Sequence, residues 1–261
     1  MSGGAGADAA ADYARDGFVV LSQAFSSDLL AKVRDEMERV VAATAAAAGA
    51  GDRSNMYFDN DQAAARHEPT GVRCVFRVED RSAMLRDLLH SDLLLQIVEP
   101  LLGDRPVADG VQYIDKPPHA SYEFPYHQDN AYQFFEPALS LAATLALDDQ
   151  AADSGAIELL AGSDRLPILP HQPSGVLGAS RGMVDAPDTD RFPPTVPALA
   201  AGDLLIHHTN VIHRTGPNRT ASHRRNLGFT YHGQSAAQDG EAVAAFARQL
   251  AEHEARAGYP G

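Results

Sequence analysis

The chain has 261 residues, enough for one large domain with a substantial core. Its formal charge of −14 is the opposite of the basic field that nucleic-acid binding needs, which excludes that class. No apolar run reaches the ~18 residues of a membrane span and no basic-then-apolar leader opens the sequence, so no membrane partner is expected and a cytoplasmic location is the default. The single cysteine, Cys74, allows no intrachain disulfide, and its setting in Val72-Arg73-Cys74-Val75-Phe76 reads as a buried thiol.

In chain order, residues 1–12 read as a flexible tail, and residues 13–17 as a short helix stopped at Gly17. Residues 18–21 are a short buried strand. Ser26-Ser27-Asp28 offers a cap for a helix over 29–41, and the Ala/Gly-rich residues 42–53 are read as running out into a loop. Residues 71–78 suggest a strand, 80–102 two helices broken near His90-Ser91-Asp92, and 107–114 a strand stopped by Lys116-Pro117-Pro118. From there to residue 233, short β-rich runs alternate with turn residues: 126–129, 139–147, 156–160, 203–208 and 226–232. That spacing predicts a sandwich or barrel. Residues 165–197, rich in Pro, Asp and Gly, predict a lid loop, and 241–257 a terminal amphipathic helix. With no repeat and no second boundary, residues 1–261 are expected to form a single domain, mainly β with flanking helices around a jelly-roll core.

The chemistry-bearing residues begin at Phe124-Pro125-Tyr126-His127-Gln128-Asp129. On a strand, residues i and i+2 share a face, so His127 and Asp129 are expected to point together. One imidazole and one carboxylate are two thirds of the 2-His-1-carboxylate triad that holds Fe(II). A second H-x-D, at His90 and Asp92, falls where a helix restarts and reads as a cap instead. The third ligand comes from a later strand, with His207, His208, His213, His223 and His232 as candidates; His213, before Gly216-Pro217-Asn218, is favoured. Of Arg224 and Arg225, only one can point inward from a strand, where a guanidinium would hold a carboxylate by two bonds.

At this point the chain resembles the phytanoyl-CoA dioxygenase family of Fe(II)/2-oxoglutarate oxygenases, over about residues 13–233. The resemblance rests on Asp16-Gly17-Phe18-Val19-Val20-Leu21, on Lys116-Pro117-Pro118 followed by His127-Gln128-Asp129, and on residues 155–163 (GAIELLAGS), where Asp164 replaces the family's usual histidine. It rests also on Gly202-Asp203 followed by His213-x-x-Gly216-Pro217-Asn218 with Arg224 eleven residues past His213. It implies Fe(II) on His127, Asp129 and His213. It implies 2-oxoglutarate on Arg224 with help from Thr215, and further co-substrate contacts at Gln112, Thr144 and Arg77. The implied reaction uses O2, yields succinate and CO2, and oxidises a C–H bond by hydroxylation, ring formation or a related outcome. Relatives that halogenate have Ala or Gly at the carboxylate position, so Asp129 implies oxygenation.

Candidate substrate-facing side chains are Tyr126, Asn130, Tyr132, Phe134, Asn226, Thr230 and His232. Their polar mix predicts a small, free, polar substrate, for which the acidic chain would favour a cation, and the resemblance to bacterial relatives that tailor natural products implies a biosynthetic pathway of that kind. An acyl-CoA or carrier-bound acyl hydroxylase is the alternative within the class. A cupin-like metal protein without 2-oxoglutarate and a non-catalytic ligand binder are alternatives outside it. The oligomeric state is not readable from the sequence.

Overall fold

The structure, a computed structural model, describes residues 3–49, 56–58, 71–176 and 179–257. Among the described residues there are six α-helices: α1 (Gly3–Asp16), α2 (Ser27–Gly49), α3 (Ala83–Leu89), α4 (Asp92–Leu102), the short α5 (Asn130–Gln133) and α6 (Gly240–Ala257). The strands are β1 (Phe18–Leu21), β2 (Met56–Phe58), β3 (Val72–Phe76), β4 (Pro106–Lys116), β5 (Phe124–His127), β6 (Phe135–Glu136), β7 (Ser140–Ala146) and β8 (Ile157–Leu160). They continue with β9 (His171–Val176), β10 (Ala179–Met183), β11 (Pro194–Thr195), β12 (Leu204–His208), β13 (His213–Thr215), β14 (Arg224–Gly233) and β15 (Ala237–Gln238).

Seven antiparallel strands form the major sheet in the order β1-β12-β7-β14-β4-β3-β2, and β11-β8-β13-β5 form the minor one. This is the expected jelly-roll arrangement. Side-chain alternation divides the major sheet cleanly. Val111 and Tyr113 of β4, Leu141 and Leu145 of β7, Leu204 and Ile206 of β12, and Leu227, Phe229 and Tyr231 of β14 all enter the main core. There they meet Val33, Met37 and Val40 of α2 and Leu94, Ile97 and Val98 of α4. Each such side chain contributes about 1.5–3 kcal/mol when fully buried. The intervening residues, among them Gln112, Thr144, Arg224, Asn226, Gly228 and Thr230, face the other way and line a cavity against the minor sheet.

Three expectations about elements are corrected. The stretch read as a tail is helical from Gly3, and the Ala-rich stretch read as a loop prolongs α2 to Gly49; alanine is the strongest helix former and needs no periodic pattern. Residues 50–53 of that expectation lie outside the described residues. The predicted lid loop at 165–197 contains a β9–β10 hairpin, whose polar, Gly-containing strands give little hydrophobic alternation to read. The break at His90-Ser91-Asp92 is as expected: the Ser91 hydroxyl accepts from the Leu94 N–H and opens α4.

Candidate metal and co-substrate site

β13 lies between β8 and β5, and His213 stands directly opposite His127 in the ladder. Asp129 reaches them by a different route from the expected one. β5 ends at His127, and Asp129 has helical backbone angles (φ −62°, ψ −34°) where the chain turns into α5. The turn, not strand alternation, swings the carboxylate beside the imidazole. Gln128 points away; its amide bonds Pro167 and Asn210 carbonyls and the Leu169 N–H, tying three loop positions behind the site.

Both imidazoles are fixed from behind. His127 Nδ1 is 2.8 Å from the Pro125 carbonyl and His213 Nδ1 is 3.0 Å from the Val211 carbonyl. A carbonyl only accepts, so each Nδ1 carries the hydrogen and each Nε2 keeps its lone pair for a metal. Asp129 Oδ1 lies 3.5 Å from His127 Nε2 and 3.6 Å from His213 Nε2, and the three donor atoms fall within 4.8 Å of one another. Among the described residues this is the one cluster of three or more such side chains with metal-ligand spacing. Burial, reinforced by His127, pushes the His213 imidazole down to about 3, so it is a neutral donor at physiological pH. Burial also pushes the Asp129 carboxyl up, but the surrounding imidazoles outweigh it and hold the group well below the usual carboxylate range. Neutral imidazoles and an ionised carboxylate are the donor set an Fe(II) ion needs.

The other candidate histidines stand elsewhere. His208 Nδ1 accepts from the Asn210 N–H, His223 bonds Asp115, and His232 bonds Asp109. His207 does approach the site, through Asp129.

The cavity holding the cluster has a volume of about 330 Å³. At one end lies Arg224, 1% exposed. Asn226, with its amide oxygen turned toward Arg224, accepts from Nη1 at 2.8 Å. Nε and Nη2 have no hydrogen-bond partner among the described residues. Arg224 stands opposite Lys116 in the β14–β4 register, and like charges facing each other across a ladder repel. Lys116 Nζ is 2.8 Å from Thr215 Oγ1 and also donates to the Gly216 carbonyl. Burial, then Arg224 and Arg73, push its ammonium down to about 6. Arg224, buried in the cavity of the metal cluster with two unused donor nitrogens and backed by Lys116, fits a carboxylate. Arg225 takes the opposite face and pairs bidentately with Asp148 at 2.7 and 2.9 Å.

Gln112, Thr144, Thr215, Tyr132, Asn226 and Thr230 line the cavity. Five expected site residues do not. Arg77 follows the end of β3 with left-handed backbone (φ +57°), and its half-exposed guanidinium pairs with Glu79 and Asp80; Phe76 is the β3 residue that faces in. Tyr126 points to the outer side of β5, where its hydroxyl bonds Glu158 and Arg214 covers its ring. Asn130 is spent on α5, bonding both the N–H and the carbonyl of Phe135. Phe134 turns out with φ +55° to pack near Phe246 and Arg181. His232 is held by Asp109 and stacks on Phe135.

Two basic residues were missed as site groups. Lys116 was legible: it shares a face with Gln112 at i+4 on β4. Arg73 was not. Its buried guanidinium lies 3.4 Å above the Tyr122 ring, beside the Phe124 ring that Lys116 also approaches, a contact made only by the folded chain.

Fold and site together define the class: a jelly-roll protein with one 2-His-1-carboxylate cluster, the arrangement of non-heme iron oxygenases. The chain belongs to the phytanoyl-CoA dioxygenase (PhyH) family, whose model matches residues 13–226. It is 26% identical over 229 residues to peroxisomal phytanoyl-CoA dioxygenase of Rattus norvegicus, covering 84% of this chain and 66% of that one, a little under two thirds of its length. It is 23% identical over 230 residues to ectoine dioxygenase of Nocardia farcinica, covering 82% and 74%. Among solved structures, the epimerase SnoN in complex with Fe3+, alpha ketoglutarate and nogalamycin RO superposes with a TM-score of 0.71 at 23% identity, covering 92% of this chain and 88% of that one. That likeness is one of fold. Among the described residues, no helix is long and apolar enough to cross a membrane.

Proposed function

We propose that the chain is an Fe(II)- and 2-oxoglutarate-dependent oxygenase that oxidises a C–H bond of a small, free, polar metabolite. The observation that carries this reading is the placement of one His-Asp-His cluster and an under-bonded buried arginine in one cavity. His127, Asp129 and His213 would hold the iron. Arg224, with Lys116 and Thr215, would take the distal carboxylate of 2-oxoglutarate, satisfying the two Arg224 nitrogens that are otherwise buried without acceptors. When bound, the iron and 2-oxoglutarate supply the oxidising power from O2; the protein orients the reactants and keeps water out.

Tyr132, Gln133 and Thr230 place hydrogen-bonding groups in the cavity beside the apolar Phe76, Ile114 and Ile157, and those polar groups support a polar substrate over a long acyl chain. The ectoine and nogalamycin enzymes among the similar proteins act on small molecules by their names, which supports the same choice and a role in bacterial natural-product biosynthesis. The phytanoyl-CoA relatives favour the second reading, an acyl-CoA substrate.

The test is a substrate panel read by succinate release with Fe(II) and 2-oxoglutarate. Polar metabolites, including amino-acid-like and glycosidic compounds, are expected to stimulate turnover, and Asp129→Ala to abolish it. Turnover with acyl-CoA or carrier-bound chains alone would overturn the substrate assignment. Oxygen uptake without succinate would overturn the co-substrate.

A further inference from the structure

We propose that His207 is a positioning residue for the metal carboxylate: its Nε2–H holds Asp129 Oδ2, so that Oδ1 alone is presented with His127 and His213. The two oxygens of Asp129 stand in different surroundings. Oδ1 faces the two ligand imidazoles at 3.5 and 3.6 Å, while Oδ2 lies 3.1 Å from His207 Nε2. A carboxylate oxygen only accepts, so the hydrogen of His207 sits on Nε2. That is the reverse of His127 and His213, whose hydrogens sit on Nδ1, bonded to backbone carbonyls. With a hydrogen on the nitrogen nearest the cluster, His207 is no fourth ligand. Its Nδ1 is buried with no partner among the described residues, so its one polar contact is the bond to Asp129.

The bond comes from a rigid place. His207 is 3% exposed and sits in β12 between Phe18 of β1 and Ala142 of β7. Its ring lies 4.7 Å from that of His213, centroid to centroid. A carboxylate can bind a metal through one oxygen or two. Holding Oδ2 back would keep Asp129 on a single position and leave the others of an octahedral ion for co-substrate and oxygen.

This inference rests on the reading that His127, Asp129 and His213 hold the iron, and the test separates the two. The apo protein is titrated anaerobically with Fe(II) in saturating 2-oxoglutarate, following the visible charge-transfer band of the chelate. Wild type is compared with His207→Phe and His207→Leu, which remove the donor, and with His207→Gln, which keeps an N–H. The apolar variants are expected to bind Fe(II) roughly 10- to 100-fold more weakly and to shift the band, with His207→Gln restoring both. Folded apolar variants with wild-type affinity and band would overturn the inference, as would a His207→Gln that loses as much as His207→Phe. One folded apolar variant is sufficient. If neither folds, His207→Gln decides alone: wild-type behaviour supports the hydrogen bond, and a loss of about 10-fold or more overturns it. A wild-type protein that takes up no Fe(II) would instead overturn the ligand assignment, and this inference with it.

Discussion

The two faces of the seven-stranded sheet are built from neighbouring residues of the same strands and follow opposite rules. On β14, Leu227, Phe229 and Tyr231 are buried against the helices, and the Tyr231 hydroxyl still finds the Leu89 carbonyl. Three residues before Leu227, on the other face, Arg224 is buried with two nitrogens unbonded and Lys116 opposite. The helix side is closely packed and apolar and stabilises the fold. The cavity side is left unsatisfied and keeps its donors for a ligand. Because strand side chains alternate, a register slip of one residue would exchange the two sets, so the apolar face also fixes the aim of the polar one.

The comparison breaks most visibly at Phe229. Replacing it by Ala is expected to cost about 3–5 kcal/mol of stability in a denaturant melt, with Fe(II) affinity of the folded fraction unchanged. A metal site that weakened in step would show that the faces are not independent. Arg224→Ala is expected to give the opposite pattern. Its loss should raise the 2-oxoglutarate requirement by an amount worth roughly 2–5 kcal/mol in binding while leaving Fe(II) bound. The apo protein should melt no lower than wild type, because an under-bonded buried cation is removed.

Lys116 sharpens the contrast through pH. Its ammonium is pushed down to about 6 in the free protein, below its ordinary value of 10.5, so it is largely neutral at pH 8. The unfolded chain holds that proton and the folded chain does not, so its contribution to stability rises with pH from about 6 toward 10.5. An arriving carboxylate favours the charged form. Co-substrate binding at pH 8 is therefore expected to take up a proton and to weaken as pH rises through that window. Calorimetry in buffers of different ionisation enthalpy reads the uptake, and Lys116→Met should remove it. The smallest expected effect is at Cys74, whose thiol burial pushes up to about 12. A thiol reagent should label it only after unfolding, with activity untouched at native conditions.

Much of this division was legible in the sequence. Alternation marked the strands, and the order of His127, Asp129, His213 and Arg224 marked the cavity. What escaped depended on contacts between distant segments. Asp129 is aimed by a turn into a four-residue helix that the H-Q-D motif does not announce. Tyr126 and Asn130, adjacent to the ligands in sequence, are drawn off by Glu158 and by the Phe135 backbone. Lys116 carried a motif but acquires its meaning only from standing opposite Arg224. His207 was readable as one of an alternating His-His pair, yet nothing local says that its partner would be a carboxylate 78 residues away.

The β14 strand has one more consequence. Its cavity-facing residues Arg224, Asn226, Gly228 and Thr230 stand about 6.6 Å apart along the chain, two residues at a time. With Arg224 at one end, this row runs along the cavity like a ruler for what it can hold. Gly228 sits where any side chain would press on Gln112, 3.2 Å from the position of a first carbon. A single graduation of that ruler can therefore be shortened without touching the metal, and the set of molecules that fit can change while the chemistry stays the same.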